Sequence, residues 1–116
     1  MRRDHRQYLD DILQSIERIR RYVAGMDRAT FEADEKTVDA VVRNLEVIGE
    51  AARNLPDAVR ARTGDIEWPK IIALRNLLAH EYFGINTRIV WDIVQNKLAP
   101  LREACVRALE EGEAGE

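Results

Sequence analysis

The spacing of apolar residues constrains this chain more than any other feature. Tyr8, Leu9, Ile12, Leu13, Ile16, Ile19 and Val23 recur three and four residues apart, with Asp, Arg and Gln between them. That period belongs to one face of an α-helix. It predicts a helix over about residues 4–24, stopped by Gly25, with Arg20 and Arg21 where cations suit the helix dipole. A second stripe starts near Thr30, a plausible N-cap, and takes in Val38, Val41, Val42, Leu45, Ile48, Ala51, Ala52 and Leu55. Pro56 ends it, because the residue before a proline resists the helical conformation. Residues 56–67 read as a connector, with room for one helical turn at Asp57 to Arg62. Trp68-Pro69 opens a third helix, with Pro69 placed for the first helical position, which runs to about Tyr82 before Gly84. The fourth begins near Asn86-Thr87, with Ile89, Val90, Ile93, Val94, Leu98 and Leu101 on its face and a kink expected at Pro100.

No segment alternates as a strand does. The expectation is therefore an all-α, up-and-down bundle of four to five helices, neighbours packing antiparallel. Its core should hold Leu9, Ile12, Ile16, Ile19, Val41, Leu45, Ile48, Leu74, Leu78 and Ile93. With 116 residues the chain is long enough for one domain and one real core, without a staple of disulfides or metal. We expect that domain over residues 1–110, with residues 111–116 a short, acidic, frayed tail. The longest apolar runs are about four residues, against ~20 for a membrane span. No apolar segment follows the first, basic residues, so a secretory leader is not expected and the cytoplasm is the expected address.

The net charge of −3 speaks against a generic nucleic-acid binder, but it hides an asymmetry. Residues 68–102 carry five basic and two acidic side chains, net +3, while residues 29–67 and 103–116 are each net −4. A cationic patch attracts phosphate even on an acidic protein. Of the 18 basic residues 15 are Arg, whose fork suits phosphate, although high-GC codon usage gives the same bias.

Few side chains are available for chemistry. The only cysteine, Cys105, lies beside Ala104 and Val106 and reads as packing rather than nucleophile. It also excludes an intramolecular disulfide and a Cys-rich metal site. No phosphate-binding loop, dinucleotide fingerprint or nucleophile elbow is present. Of the two histidines, His5 sits in a polar leader and reads as solvated. His80 lies in Arg75-Asn76-Leu77-Leu78-Ala79-His80-Glu81-Tyr82. On a helix Asn76 and His80 share a face, and Arg75 and Tyr82 nearly eclipse. This cluster is either a site or an elaborate helix end, since Arg and His near a C-terminus also satisfy free carbonyls. In the second helix, Gly49 costs ~1 kcal/mol relative to Ala and often marks close approach of another helix. Asn44 and Glu50 beside it either face the Arg75/His80 region or belong to an exposed polar face.

Four ordered blocks carry a resemblance. Arg75-Asn76-x-x-x-His80-x-Tyr82 is similar to the Arg-x4–6-His motif of the HEPN superfamily, in the form of its HepT family. Asn44-Leu45-x-x-Ile48-Gly49-Glu50-Ala51 resembles the second-helix signature of that family. Trp68-x-x-Ile71-x-x-Leu74-Arg75-Asn76 and Val90-Trp91-x-Ile93-Val94 resemble its flanking helices. The likeness extends from about Tyr8 to Leu109, with no departure at the motif positions.

The resemblance implies a dimeric helical bundle and the toxin half of a HepT/MntA-type, type VII-like toxin–antitoxin pair. It implies a metal-independent ribonuclease, needing no cofactor, with RNA as substrate. Arg75 and His80 would be catalytic and Asn76 supporting, with Asn44 and Glu50 as candidate outer groups. The partner would be an MntA-like nucleotidyltransferase antitoxin, in a larger hetero-oligomer, that silences the toxin by adding AMP to Tyr82. Metal-free RNA cleavage needs a base, an acid and a cation, and His80 and Arg75 have the right chemistry. One His per chain is too few for a two-His mechanism, which a symmetric dimer would remedy. Two other readings stay open: a non-catalytic, nucleotide-binding partner of a nucleotidyltransferase, and a plain helical assembly module.

Overall fold

The computed structural model describes residues 4–80 and 86–114, with residues 75–80 and 112–114 described as backbone alone. Those residues form seven helices: α1 (His5–Val23), α2 (Arg28–Ala33), α3 (Glu35–Arg53), α4 (Asp57–Arg62), α5 (Trp68–His80), α6 (Thr87–Asn96) and α7 (Leu98–Ala114). The fold class is all-α, as the periodicity predicts.

The first helix follows its sequence signals closely. Asp4 caps α1, its carboxylate accepting from the Arg6 N–H at 2.9 Å. Past the C-terminus Gly25 takes φ +78, a left-handed turn that favours glycine. Leu9, Ile12, Ile16, Ile19 and Val23 form one buried stripe along α1. The facing stripe of α3 is Val38, Val41, Val42, Leu45, Ile48, Ala51 and Ala52, also buried. Each large aliphatic side chain fully removed from water contributes roughly 1.5–3 kcal/mol, so these two stripes form the main stabilising layer. Around it, α1 also packs on α7, α3 on α5 and α2, and α6 on α2 and α7.

The bundle is more segmented than its apolar pattern suggests. The single helix expected from Thr30 to Leu55 is two helices, α2 and α3, broken at Asp34. Asp34 has non-helical dihedrals (φ −103, ψ 88) and its side chain accepts from the Thr37 N–H at 3.1 Å. Thr30 is not the N-cap of α2. That role belongs to Asp27, which accepts from the Thr30 N–H at 2.8 Å. Likewise the fourth helix is two, α6 and α7, separated at Lys97. Pro100 therefore kinks nothing. It occupies the first turn of α7, where the missing N–H would have no partner anyway. By the same logic Pro69 sits harmlessly at the second position of α5.

Most of the expected core is buried. Leu9, Ile12, Ile16, Ile19, Val41, Leu45 and Ile48 are at most 1% exposed. Leu74 and Ile93 are only partly buried against the core, and the Leu78 side chain lies outside the described residues. Ile89, expected on the apolar face, is 48% exposed, because α6 buries Val90 and Val94 instead. Leu55, beyond the end of α3, is buried, as is Cys105 in α7. The α7 backbone stays helical to Ala114, well into the acidic segment that the sequence sets apart from residue 111.

The connector is pinned where it delivers the chain into α5. Trp68 is buried, and its indole N–H donates to the Thr63 hydroxyl at 2.8 Å. That hydroxyl donates in turn to the carbonyls of Val59 and Arg60. Asp65 in the same connector accepts from Arg107 of α7 at 3.1 Å. These links fix the start of α5 and hence the register of every residue along it.

Candidate functional site

Arg75, Asn76 and His80 all have helical backbone in the second half of α5. Asn76 and His80 stand four residues apart, so their positions fall on one face of the helix. Their side chains, and the whole of Tyr82, lie outside the described residues. The helix carrying the motif packs on α3, the helix that carries Asn44 and Glu50.

Asn44 is buried, 8% exposed, and its amide N–H donates to the Ala40 carbonyl of its own helix at 2.9 Å. An amide spent this way can hold α3 in shape without reaching α5. Glu50 is half-buried, and Arg53 approaches its carboxylate at 4.0 Å along the same helix. Gly49, between them in the sequence block, is buried.

Two hollows adjoin α5 and α6. The larger, about 590 Å³, lies among α3, the connector, α5 and the α6–α7 junction. It is floored by Leu45, Ile48, Ile71, Leu74, Ile93 and Leu101, with Lys70 and Lys97 among its charged lining residues. Lys70 is already paired with Glu67 at 2.6 Å, which draws the Glu67 carboxyl below its ordinary value. The smaller hollow, about 480 Å³, is lined by Arg28 of α2 and by Arg88, Ile89, Trp91, Asp92, Gln95 and Asn96 of α6. Arg88, Trp91, Asp92 and Gln95, at i, i+3, i+4 and i+7, fall on one helical face, with Ile89 and Asn96 beside it. Sequence reasoning missed this second feature. Its signal was faint, since Arg88-x-x-Trp91 looks like an ordinary solvent face and Arg28 is distant in the chain.

The remaining candidate nucleophile is closed. Cys105 is fully buried, and burial pushes its thiol up to about 12, so almost no thiolate exists near neutral pH. Among the described residues, no group of three or more His, Cys, Asp or Glu side chains gathers to hold a metal. Nor is any described helix long and apolar enough to cross a membrane.

Comparison with known proteins decides the family. A family model described as ribonuclease HepT-like matches residues 12–108, which takes in the helical core and the whole Arg75–Tyr82 segment. The chain belongs to the HepT-like ribonuclease family. Among its relatives is a protein of Thermococcus cleftensis named as a probable ribonuclease HepT, 36% identical over 88% of this chain and 93% of the relative. A protein of Methanocaldococcus jannaschii named as a candidate RNase is 43% identical over 84% of this chain and 80% of the relative. Another from the same organism, whose name joins γ-glutamylcyclotransferase to a candidate RNase, is 35% identical over 96% of this chain. The chain spans only 50% of that longer protein's length. Compared with solved structures, this HepT-like chain matches none significantly.

Proposed function

We propose that the chain is the toxin of a toxin–antitoxin pair, a single-domain, metal-independent RNA endonuclease acting as a homodimer. The observation that carries this reading is family membership across the motif, Arg75 to Tyr82, together with a helix α5 whose described aliphatic side chains the single chain covers incompletely. Ile71, Ile72 and Leu74 are each only partly buried. A second copy laid against α5 would cover them and bring two Arg75–His80 sets into one cleft.

In that cleft one His80 takes the proton from the ribose 2′-hydroxyl, and the other returns one to the departing 5′-oxygen. Arg75 grips the phosphate in a bidentate fork and stabilises the charge that develops on the phosphorane. Asn76, one turn before His80, orients the imidazole or the phosphate. Asn44 and Glu50 support the arrangement from α3. Silencing uses one more residue of the motif: a nucleotidyltransferase antitoxin transfers AMP from ATP to the Tyr82 hydroxyl and releases pyrophosphate. The adduct then fills an arginine-lined cleft with bulk and negative charge.

The test combines activity with fold. Arg75→Ala and His80→Ala should abolish RNA cleavage while the helical circular dichroism stays unchanged. Co-expression with a cognate nucleotidyltransferase should raise the intact mass by whole AMP units on the peptide containing Tyr82, and Tyr82→Phe should prevent it. Unmodified mass, or label on Tyr8 or Tyr22, would show that the switch lies elsewhere. A wild-type protein that cuts no RNA, with both variants like it, would favour a non-catalytic partner.

A further inference from the structure

The hollow between α2 and α6 has features that the catalytic motif does not use. Two guanidinium groups, Arg28 and Arg88, line it from different helices, both on exposed residues. Neither makes an ion pair or side-chain hydrogen bond among the described residues. Arg88 stands in the first turn of α6, where a cation opposes the helix dipole and no acidic residue offsets it. Its charge therefore brings nothing to the helix and, among the described residues, has no anionic partner.

An aromatic surface lies between these charges. Trp91 is half-buried and lines the hollow, with its ring packed on that of Phe31 at 5.1 Å between centroids, tilted by 35°. Phe31 is fully buried, so the indole is backed by the core and held in place. Ile89 adds apolar surface beside it, 48% exposed. Gln95 and Asn96 supply amides at the rim. Asp92, the one carboxylate of the lining among the described residues, accepts from the Asn96 amide at 2.7 Å. A carboxylate there repels phosphate but accepts from the exocyclic amine of a base. A backed aromatic ring, two exposed arginines and side-chain amides are the components of a single-stranded nucleic-acid platform. An acidic peptide would satisfy the arginines but leave the ring unused.

The hollow also lies within reach of the motif. Asn86, the cap of α6, is six residues on from His80, a span of at most about 22 Å. One short RNA strand can cover that distance.

We propose that the α2–α6 hollow is a docking subsite for single-stranded RNA, outside the Arg75/His80 centre. Arg28 and Arg88 hold phosphates there, and a base stacks on Trp91. This rests on the ribonuclease reading for its substrate class, and its test is separable from that reading.

The probe is a short single-stranded oligoadenylate, titrated into the full-length His80→Ala protein so that binding is read without cleavage. Trp68 is 4% exposed and hydrogen-bonded, so quenching of tryptophan emission reports Trp91. Binding should quench the emission. Arg28→Gln and Arg88→Gln should each weaken it severalfold and lower the slope of log K against log salt by roughly 0.7. Both positions are exposed, so circular dichroism should be unchanged. The Trp91 variants lack the reporter and are read by anisotropy of a dye-labelled oligoadenylate: Trp91→Phe, which keeps a ring on Phe31, should retain most of the affinity, whereas Trp91→Leu should lose roughly fivefold or more.

Equal affinity of the arginine variants and the parent would overturn the proposal, and so would binding without quenching. Binding of polyglutamate as tight as RNA, with the same dependence on Arg28 and Arg88, would overturn it in favour of an acidic protein partner. Cleavage by the wild-type protein is scored separately. Cleavage with no arginine effect sinks the subsite alone, while arginine-dependent quenching without cleavage sinks the nuclease reading alone.

Discussion

The α1–α3 layer and the helices α5 and α6 draw on the same kinds of aliphatic residue and cover them differently. In the first, Leu9, Ile12, Ile16, Ile19, Val41 and Leu45 are all 0% exposed. In the second, Ile71, Ile72, Leu74 and Ile93 are only partly buried and Ile89 is 48% exposed. For α5, neighbours account for the difference. Helix α1 is packed against α3 and α7, and α3 against α1, α2 and α5, whereas α5 packs chiefly on α3. A helix with one main neighbour buries one stripe and leaves the rest accessible. Stability is thus concentrated between α1 and α3, and the backbone of Arg75, Asn76 and His80 belongs to α5, where Ile71, Ile72 and Leu74 are only partly covered.

Truncation should break this comparison first if it is wrong. Leu45→Ala should cost about 2–5 kcal/mol in urea-induced unfolding, and Leu74→Ala clearly less, because a partly exposed site leaves a smaller cavity. Equal losses would mean that the two layers are packed alike. The next effect is chemical. With its thiol buried and pushed up to about 12, Cys105 should resist thiol reagents in the native protein and react only at the rate of unfolding. Prompt reaction in native buffer would place α7 outside the tight layer.

Acid should then separate the layers by their caps. Asp4, Asp27 and Asp34 accept backbone N–H groups at helix starts, which holds their carboxyls below the ordinary carboxylate value. A depressed folded pKa contributes stability that is present above the unfolded value, about 3.9, and is lost as pH falls through the folded one. The cap of α6 is Asn86, which accepts from the Arg88 and Ile89 N–H groups and does not titrate. Hydrogen exchange should therefore rise at the starts of α1, α2 and α3 below about pH 4, and less at α6. Smallest of all is the exposed Arg107–Asp65 pair, 3.1 Å apart. A double-mutant cycle should assign it under about 1 kcal/mol.

Much of the fold was legible in the chain, for a physical reason. Periodic burial in α1 and α3 is local information, so the stripes Leu9 to Val23 and Val38 to Ala52 can be read without knowing their neighbours. Helix breaks were harder, because apolar spacing runs on through Asp34 and through Lys97. The better signal was capping: Asp27-x-x-Thr30 and Asp34-x-x-Thr37 repeat one pattern, an acidic residue whose side chain meets the N–H three residues on. Ile89 was misplaced although the start at Asn86-Thr87 was read correctly, because α6 buries Val90 and Val94 and packs on α2 and α7, neighbours that its own apolar spacing does not specify. The motif residues Arg75, Asn76, His80 and Tyr82 stood out by type and spacing. The α2–α6 hollow could not, since Arg28 and Arg88 meet only after the chain has folded.

The central claim is that His80 and Arg75 cut RNA through the ribose 2′-hydroxyl without a metal ion. Its most direct test is cleavage of RNA by the purified chain in excess chelator, with the new ends identified by mass spectrometry. The account predicts undiminished cleavage, ends carrying 2′,3′-cyclic phosphate and 5′-hydroxyl, and no cut where the 2′-hydroxyl is methylated. His80→Ala should lower the rate by roughly a hundredfold or more, the scale of a lost general acid–base group, with helical content unchanged. Activity that disappears in chelator and returns with magnesium, or that survives His80→Ala, would contradict it.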